Sequence, residues 1–374
     1  MRRIMMPGFL TMVFLIFNLP ALLGVNHLAY LKTIRKIDVH THERANERFV
    51  LDFLEEENLK YVTICVDIGK KDFTKAQRDV SMELYQQYPR YYSWITTFDV
   101  EGIWEPGWKE RTIARLREDF HRGAIGVKVW KYIGMNLKDR DGNFVQLDHP
   151  VFSPIFEFIA EQGKTLISHM GEPLQAWMPT YITEEGVHRN YWASHSDYHF
   201  YGQPDKPSYS DIIAAQDKVI ENHPNLRFVG AHLASLEFNV SEIAVRMEMY
   251  PNFAVEVGGR FEYLMGQARE KVRTFFLKYQ DRILFGTDLG VSSGMNDQER
   301  VKRKQRLRER NAQIARYLAT DDRIPVDHLL RGFKTGSAPE YYVTGLALPK
   351  GVLKKFYYDN ALRWLPGVEE GFLD

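Results

Sequence analysis

Short runs of β-branched and aromatic residues recur along this chain, separated by stretches in which apolar residues return at helical spacing. The runs are Ile34–Val39, Tyr61–Val66, Tyr91–Phe98, Ala124–Val129, Thr165–Ser168, Leu226–Ala231, Phe253–Val257 and Ile283–Gly286, eight in all. Strands alternating with amphipathic helices imply a parallel sheet, because parallel neighbours need a crossover connection. Eight such units predict an α/β fold of the (β/α)8 TIM-barrel type. The intervening segments carry helical punctuation: Phe49 to Asn58, Trp108 to a stop at Gly123, a capped start at Asp148-His149-Pro150 closing at Gly163, Ser210 to Asn222, Glu237 to Tyr250, and Lys350 to Leu365.

A length of 374 residues suits either two or three average domains or one large barrel. No linker-like shift of composition divides the chain, so residues 25–374 are expected to form a single barrel domain. Two connections exceed plain turns. Residues 170–208, after the fifth strand, hold Trp177, Tyr181, Trp192, Tyr198, Phe200 and Tyr201, and that aromatic content predicts an ordered lid over a pocket. Residues 289–349, after the eighth, contain a strongly charged helix around Glu299 to Tyr317.

The first 24 residues differ from the rest. Arg2 and Arg3 precede a segment rich in Phe, Leu, Met, Val and Ile, with small residues near Ala21 to Gly24, the order of a secretory signal peptide. Pro7, Asn18 and Pro20 break the apolar run to about ten residues, short of the ~20 that span a bilayer. Cleavage and export, periplasmic or secreted, are expected, with membrane attachment only if the segment is retained. The 49 basic and 49 acidic side chains balance, which suggests no nucleic-acid partner. A homo-oligomer is compatible with the composition. Cys65 is the only cysteine, which excludes an intrachain disulfide and thiolate clusters. Its hydrophobic strand setting predicts an inert thiol.

In such barrels the chemistry lies at the C-terminal ends of the strands. There the first strand carries His40 and His42, whose period-two spacing turns both imidazoles the same way. The fifth ends in Ser168-His169, the sixth in Gly230-Ala231-His232, and the eighth in Gly286-Thr287-Asp288. Three imidazoles and a carboxylate suit a divalent ion that keeps an open position for water, which would then lose a proton near neutral pH and attack a carbonyl. His232 is the natural proton shuttle. Asp288 suits ligation, proton acceptance, or both.

These residues resemble the amidohydrolase-related branch of the metal-dependent amidohydrolase superfamily, through Asp38-Val39-His40-Thr41-His42, Ile167-Ser168-His169, Phe228-Val229-Gly230-Ala231-His232, Ile283-Leu284-Phe285-Gly286-Thr287-Asp288 and Lys355-Phe356-Tyr357-Tyr358-Asp359-Asn360-Ala361. The resemblance spans about residues 34–365. It implies that His40, His42, His169 and Asp288 hold one metal ion, usually zinc, and that His232 is catalytic. It implies hydrolysis of an amide, lactone or similar carbonyl substrate; one group of relatives instead decarboxylates aromatic or vinylogous acids without a redox cofactor. A non-catalytic binding barrel is the third reading.

Lys128, on the fourth strand, has three readings: a carboxylated bridge to a second metal, as in binuclear members of the superfamily; a substrate-carboxylate ligand; or a packed stem whose amine meets a barrel carboxylate. Arg260, just past the seventh strand, is a candidate clamp for a substrate carboxylate, or the partner of a neighbouring acid. Trp177, with Trp130 and Trp192, is a candidate pocket wall for a small-molecule substrate. Glu172 is a candidate for holding the proton of a liganding histidine.

Overall fold

The computed structural model describes residues 24–179, 192, 195–325 and 342–372. Its main sheet is formed by β1 (Lys36–Glu43), β2 (Leu59–Ile64), β3 (Tyr92–Thr97), β4 (Ala124–Val129), β5 (Thr165–Ser168), β6 (Arg227–Gly230), β7 (Phe253–Glu256), β8 (Ile283–Leu284) and β9 (Leu289–Val291). Each strand from β1 to β7 pairs in parallel with the next, and β9 lies parallel to β1. The backbone between β8 and β9 closes the ring: Val39 N donates to Phe285 O at 2.9 Å, and Asp288 N donates to His40 O at 2.8 Å. The fold is the expected α/β barrel.

Two apolar layers hold it together. Ile37, Val62, Ile95, Ile167, Val229 and Leu284 fill the lumen. Tyr61, Val127, Leu166, Phe228 and Phe253 point outward from the same strands and pack on the helices, the alternation that period two requires. The C-terminal residues close one end. Trp364, Leu365, Val368 and Phe372 join the lumen cluster, and the backbone carbonyl of Trp364 accepts from the Thr165 hydroxyl at the first residue of β5. The opposite end, where the strands finish, is left for side chains with chemistry.

Most predicted helices appear within two or three residues, including Arg48–Glu57, Trp108–His121 and Val240–Met249. Tyr209–Asn222 starts with a capping box between Ser208 and Asp211. The charged segment after β8 is the helix Asp297–Ala319. The final helix is not continuous. It runs Lys350–Lys354, passes through a π-helical turn at Lys355–Asp359, and resumes at Asn360–Trp364; Asn360 Nδ2 leaves the pattern to donate to Gln280 O and Ile283 O at the base of β8. The first strand extends beyond its expected end at Val39 through His40 and His42 to Glu43. The expected export signal lies, but for Gly24, outside the described residues, as does Tyr181 of the expected lid. No helix among the described residues is long and apolar enough to cross a membrane.

Candidate metal centre

The register of β1 against β2 shifts between Asp38 and Thr41, three steps on one strand facing two on the other. That bulge re-aims the side chains. Ile37 and Val39 point into the lumen, and strict alternation would send His40 and His42 to the other face. With the extra residue both imidazoles also enter the lumen, at its open end. Their Nε2 atoms stand 3.2 Å apart.

Both rings are held from behind. His40 Nδ1 lies 2.8 Å from Glu256 Oε1, and His42 Nδ1 lies 3.0 Å from the Ile64 carbonyl. An acceptor behind each ring places its proton on Nδ1 and leaves the Nε2 lone pair facing forward. Asp288 Oδ1 completes the group, 3.4 Å from His40 Nε2 and 3.3 Å from His42 Nε2. Three lone-pair atoms this close repel unless a cation lies among them. The donor set therefore fits a divalent ion of the kind bound by imidazole and carboxylate.

His232 joins this cluster from the sixth strand; a ligand atom of each of His40, His232 and Asp288 lies within 4.8 Å of the others. His232 Nδ1 is bonded to Gly258 O at 2.6 Å, so its Nε2 is also free to accept. Burial holds the imidazole down at about 3, against the pull of Asp288, and keeps it neutral. Asp288 goes the other way: burial would raise it, but His232, His40 and His42 hold its carboxyl well below the usual carboxylate range. His169 packs edge-on against His232, ring centroids 4.2 Å apart, and its buried Nε2 has no hydrogen-bond partner among the described residues. Four imidazoles and one carboxylate thus converge, with His169 at the edge of the cluster.

The backbone under these groups is strained. His232, Leu233, Ala234 and Ser235 all have φ between 56° and 59°, a left-handed turn of four residues, and Asp288 has φ 57°. Left-handed geometry costs about 1–2 kcal/mol per non-glycine residue, and strain of this kind gathers where function requires it. Gly259 gives way to the same carboxylate: a Cβ there would come 2.7 Å from Asp288 Oδ2.

Glu256, at the last position of β7, organises the centre and had no role in the sequence reading. It accepts from His40, from the backbone N of His232 at 2.7 Å, and from the backbone N of Gly258. Burial would raise it, but His40 holds it at about 2, so it stays ionised. Gly258 and Gly286 leave room for it, since a Cβ would come 2.7 and 2.4 Å from its Oε2. Asp38 plays a parallel part, accepting from His40 N at 3.1 Å and from Thr287 N and Oγ1 at 3.0 and 2.6 Å. The legible signal for both was a lone acid inside an apolar strand run, Ile37-Asp38-Val39 and Val255-Glu256-Val257.

A cavity of about 340 Å³ opens on the cluster. Lys128, Lys131 and Arg260 line it, with Trp130, Trp192 and Tyr263 as aromatic walls. Lys128 is fully buried and reaches the cavity; among the described residues its amine bonds to no barrel carboxylate and has no hydrogen-bond partner. Burial lowers its ammonium to about 8. Lys131 pairs with Glu172 and lies 4.1 Å from the centroid of the Tyr198 ring. Arg260 bonds Glu237 Oε2 at 3.0 Å and lies 3.7 Å from Glu172 Oε2, so it has acidic neighbours and still faces the cavity. Glu172 thus serves two cations, while the expected support of a liganding histidine comes from Glu256.

Trp177 corrects an expectation. It is not among the described residues lining the cavity. Its indole N–H is committed to Pro207 O at 2.9 Å and its ring packs on Phe200 and Tyr209, so it braces the segment from behind. Cys65 is buried beside Ser81, and burial pushes its thiol up to about 12, in keeping with an inert role.

The family model described as amidohydrolase matches residues 100–367. The chain belongs to the amidohydrolase family. Among solved structures, this amidohydrolase is similar to an amidohydrolase II at 16% identity and TM-score 0.48, covering 88% of this chain and 99% of that one. An uncharacterised TIM-barrel protein from Bordetella bronchiseptica follows at 14% and 0.47, covering 90% and 100%. A 2,6-dihydroxybenzoate decarboxylase complexed with 2,6-dihydroxybenzoate aligns at 14% and 0.51, covering 88% and 99%. No curated protein matches the sequence significantly. The chain is thus an enzyme of the amidohydrolase superfamily folded as an α/β barrel, with a His/Asp cluster placed to hold a metal ion.

Proposed function

We propose that this amidohydrolase is a metal-dependent hydrolase of an amide, lactone or similar carbonyl in a small anionic substrate. The observation that carries the reading is the convergence of His40 Nε2, His42 Nε2 and Asp288 Oδ1 within 3.4 Å, acceptors all, beside the neutral imidazole of His232. A divalent ion held there, zinc being the first candidate, supplies a Lewis acid for the carbonyl and lowers the pKa of a water at its open position. His40, His42 and Asp288 would hold it, with His169 beside His232 as the further ligand.

The chain's own residues carry the remaining work. Glu256 fixes the His40 tautomer. His232 Nε2 is free to take a proton from the attacking water and pass it to the leaving group, with Asp288 beside it to stabilise the imidazolium. Lys128, Lys131 and Arg260 place positive charge on the cavity wall, which selects a substrate carrying a carboxylate or similar anion. Trp130 and Trp192 supply flat apolar walls for a ring.

A second reading, non-oxidative decarboxylation at the same site, has one observation in its favour: the buried, unpartnered Lys128 amine suits a carboxylate lying next to the metal ligands. Lactone, amide and aromatic-acid panels in isotopically labelled water separate the two. With the label as heavy oxygen, its entry into the organic product supports hydrolysis, and carbon dioxide release with no labelled oxygen in the organic product overturns it. Metal analysis tests the single-ion reading at the same time; two ions per chain, falling to one in Lys128→Ala, would replace it with a bridged pair. We also propose that residues 1–24 direct export, which N-terminal sequencing of the mature protein tests.

A further inference from the structure

A second cavity, of about 350 Å³, shares no lining residue with the first. It sits outside the barrel, between the helix Leu28–Thr33, the first residue of β1 and the helix Asp297–Ala319. Leu28, Leu31, Phe285, Ala312 and Ala315 give it an apolar body. Its size falls in the range of small-molecule sites.

Its polar groups are few and converge. Tyr357 is 3% exposed, its ring packs against Phe285 with centroids 4.8 Å apart, and its hydroxyl is buried with no hydrogen-bond partner among the described residues. A buried phenol ordinarily finds a partner. Burial, with Glu57 adding to it, raises the Tyr357 phenol, and Tyr357 and Glu57 both line this cavity. Lys36 stands there too. Its Nζ makes only long contacts, 3.4 Å each, to Leu31 O and Glu57 Oε2. The phenol O–H is a donor without an acceptor among the described residues, and the ammonium, engaged by two long contacts, has a third N–H left to give. Around them stand Lys32, Lys36, Arg308 and Arg316 against one lining acid, Glu57, with Arg308 paired to Glu56 and Arg316 to Asp322 outside the cavity.

We propose that this cavity is a binding site for an amphipathic monocarboxylate, its apolar body against Leu28, Leu31 and Phe285 and its carboxylate accepting from Tyr357 Oη and Lys36 Nζ. The complementarity is specific: an apolar slot closed by two donors and rimmed by cations excludes a cationic ligand and gives a neutral one nothing for its charge-assisted bonds.

The test is calorimetric titration of the full, metal-loaded chain with decanoate, and with decan-1-ol as the uncharged counterpart. One decanoate per chain is expected, bound more tightly than decan-1-ol. Tyr357→Phe keeps the ring and removes the donor, and is expected to weaken decanoate about tenfold, in line with the loss of a hydrogen bond to a charged group. Ala312→Trp, at the cavity mouth, is expected to abolish binding, while turnover at the metal site is unchanged. Four results overturn the proposal: no decanoate binding, equal or tighter binding of decan-1-ol, undiminished binding in Tyr357→Phe, or binding lost on chelating the metal, which would locate decanoate in the other cavity.

Discussion

The two ends of the barrel are built from the same strands and obey different rules. At the closed end Trp364, Leu365, Val368 and Phe372 pack on Ile37, Val62 and Ile125, and the buried Lys60 amine is satisfied by Pro89 O and Glu370 O, both at 2.6 Å. At the open end, His169 Nε2 and Lys128 Nζ are buried without partners, and Asp288 and His232 sit on left-handed backbone. One end spends its interactions on stability. The other carries strain and unsatisfied groups that only a bound ion and substrate would satisfy, the usual mark of a functional site.

Mutations should split along that line, and the largest effect belongs to the open end. His232→Asn is expected to cut turnover by about 10²–10⁴-fold, the range of a lost general acid–base group, with metal content and melting temperature held. Full turnover in that variant, with full metal, would remove His232 from the chemistry. At the closed end, Trp364→Ala is expected to cost about 3–5 kcal/mol of folding stability, measured by denaturant unfolding, while the protein that remains folded turns over normally. A loss of kcat in folded protein would mean that the two ends are coupled.

Glu256→Gln probes the boundary between the two. With its charge gone the His40 tautomer is no longer enforced, and metal affinity should fall by about 10–100-fold in a chelator competition. Lys128→Met should do the reverse of a closed-end mutation. Replacing a buried, unpartnered amine with an apolar side chain is expected to raise stability by about 1 kcal/mol while substrate binding suffers.

The most gradual effect is a pH slope. Glu43 is buried with both carboxylate oxygens unpartnered, and burial, with Asp38 adding to it, pushes it up to about 8. Between its ordinary value near 4.5 and about 8 the folded chain holds a proton that the unfolded chain has released. Stability from this group is therefore full below the lower value and declines as pH rises to the upper one. Glu43→Gln should remove that decline, so its advantage over the natural chain grows between pH 5 and pH 8 in urea unfolding. A difference that does not change with pH would show that Glu43 is ionised in the fold.

The barrel was legible because its signal is local. β4 and β5 begin and end where their apolar runs do, and the helices obey caps and glycine stops that a sequence displays. His40, His42, His232 and Asp288 were legible for a second reason, that strand ends in such a barrel all face one rim. Trp177 was misread because an aromatic residue near a rim serves a pocket or its backing equally well, and only its bond to Pro207 decides.

By itself, then, the sequence determined the order of elements, the choice of rim and the donors gathered there. Tertiary structure decided what these donors do to one another. The bulge in β1 turns His40 and His42 inward together, Glu256 reaches from β7 to set the proton on His40, and Lys128 is left buried without an acid to meet it. Each depends on a contact between residues distant in the chain, and spacing along a sequence carries no information about which distant lone pair a side chain will face.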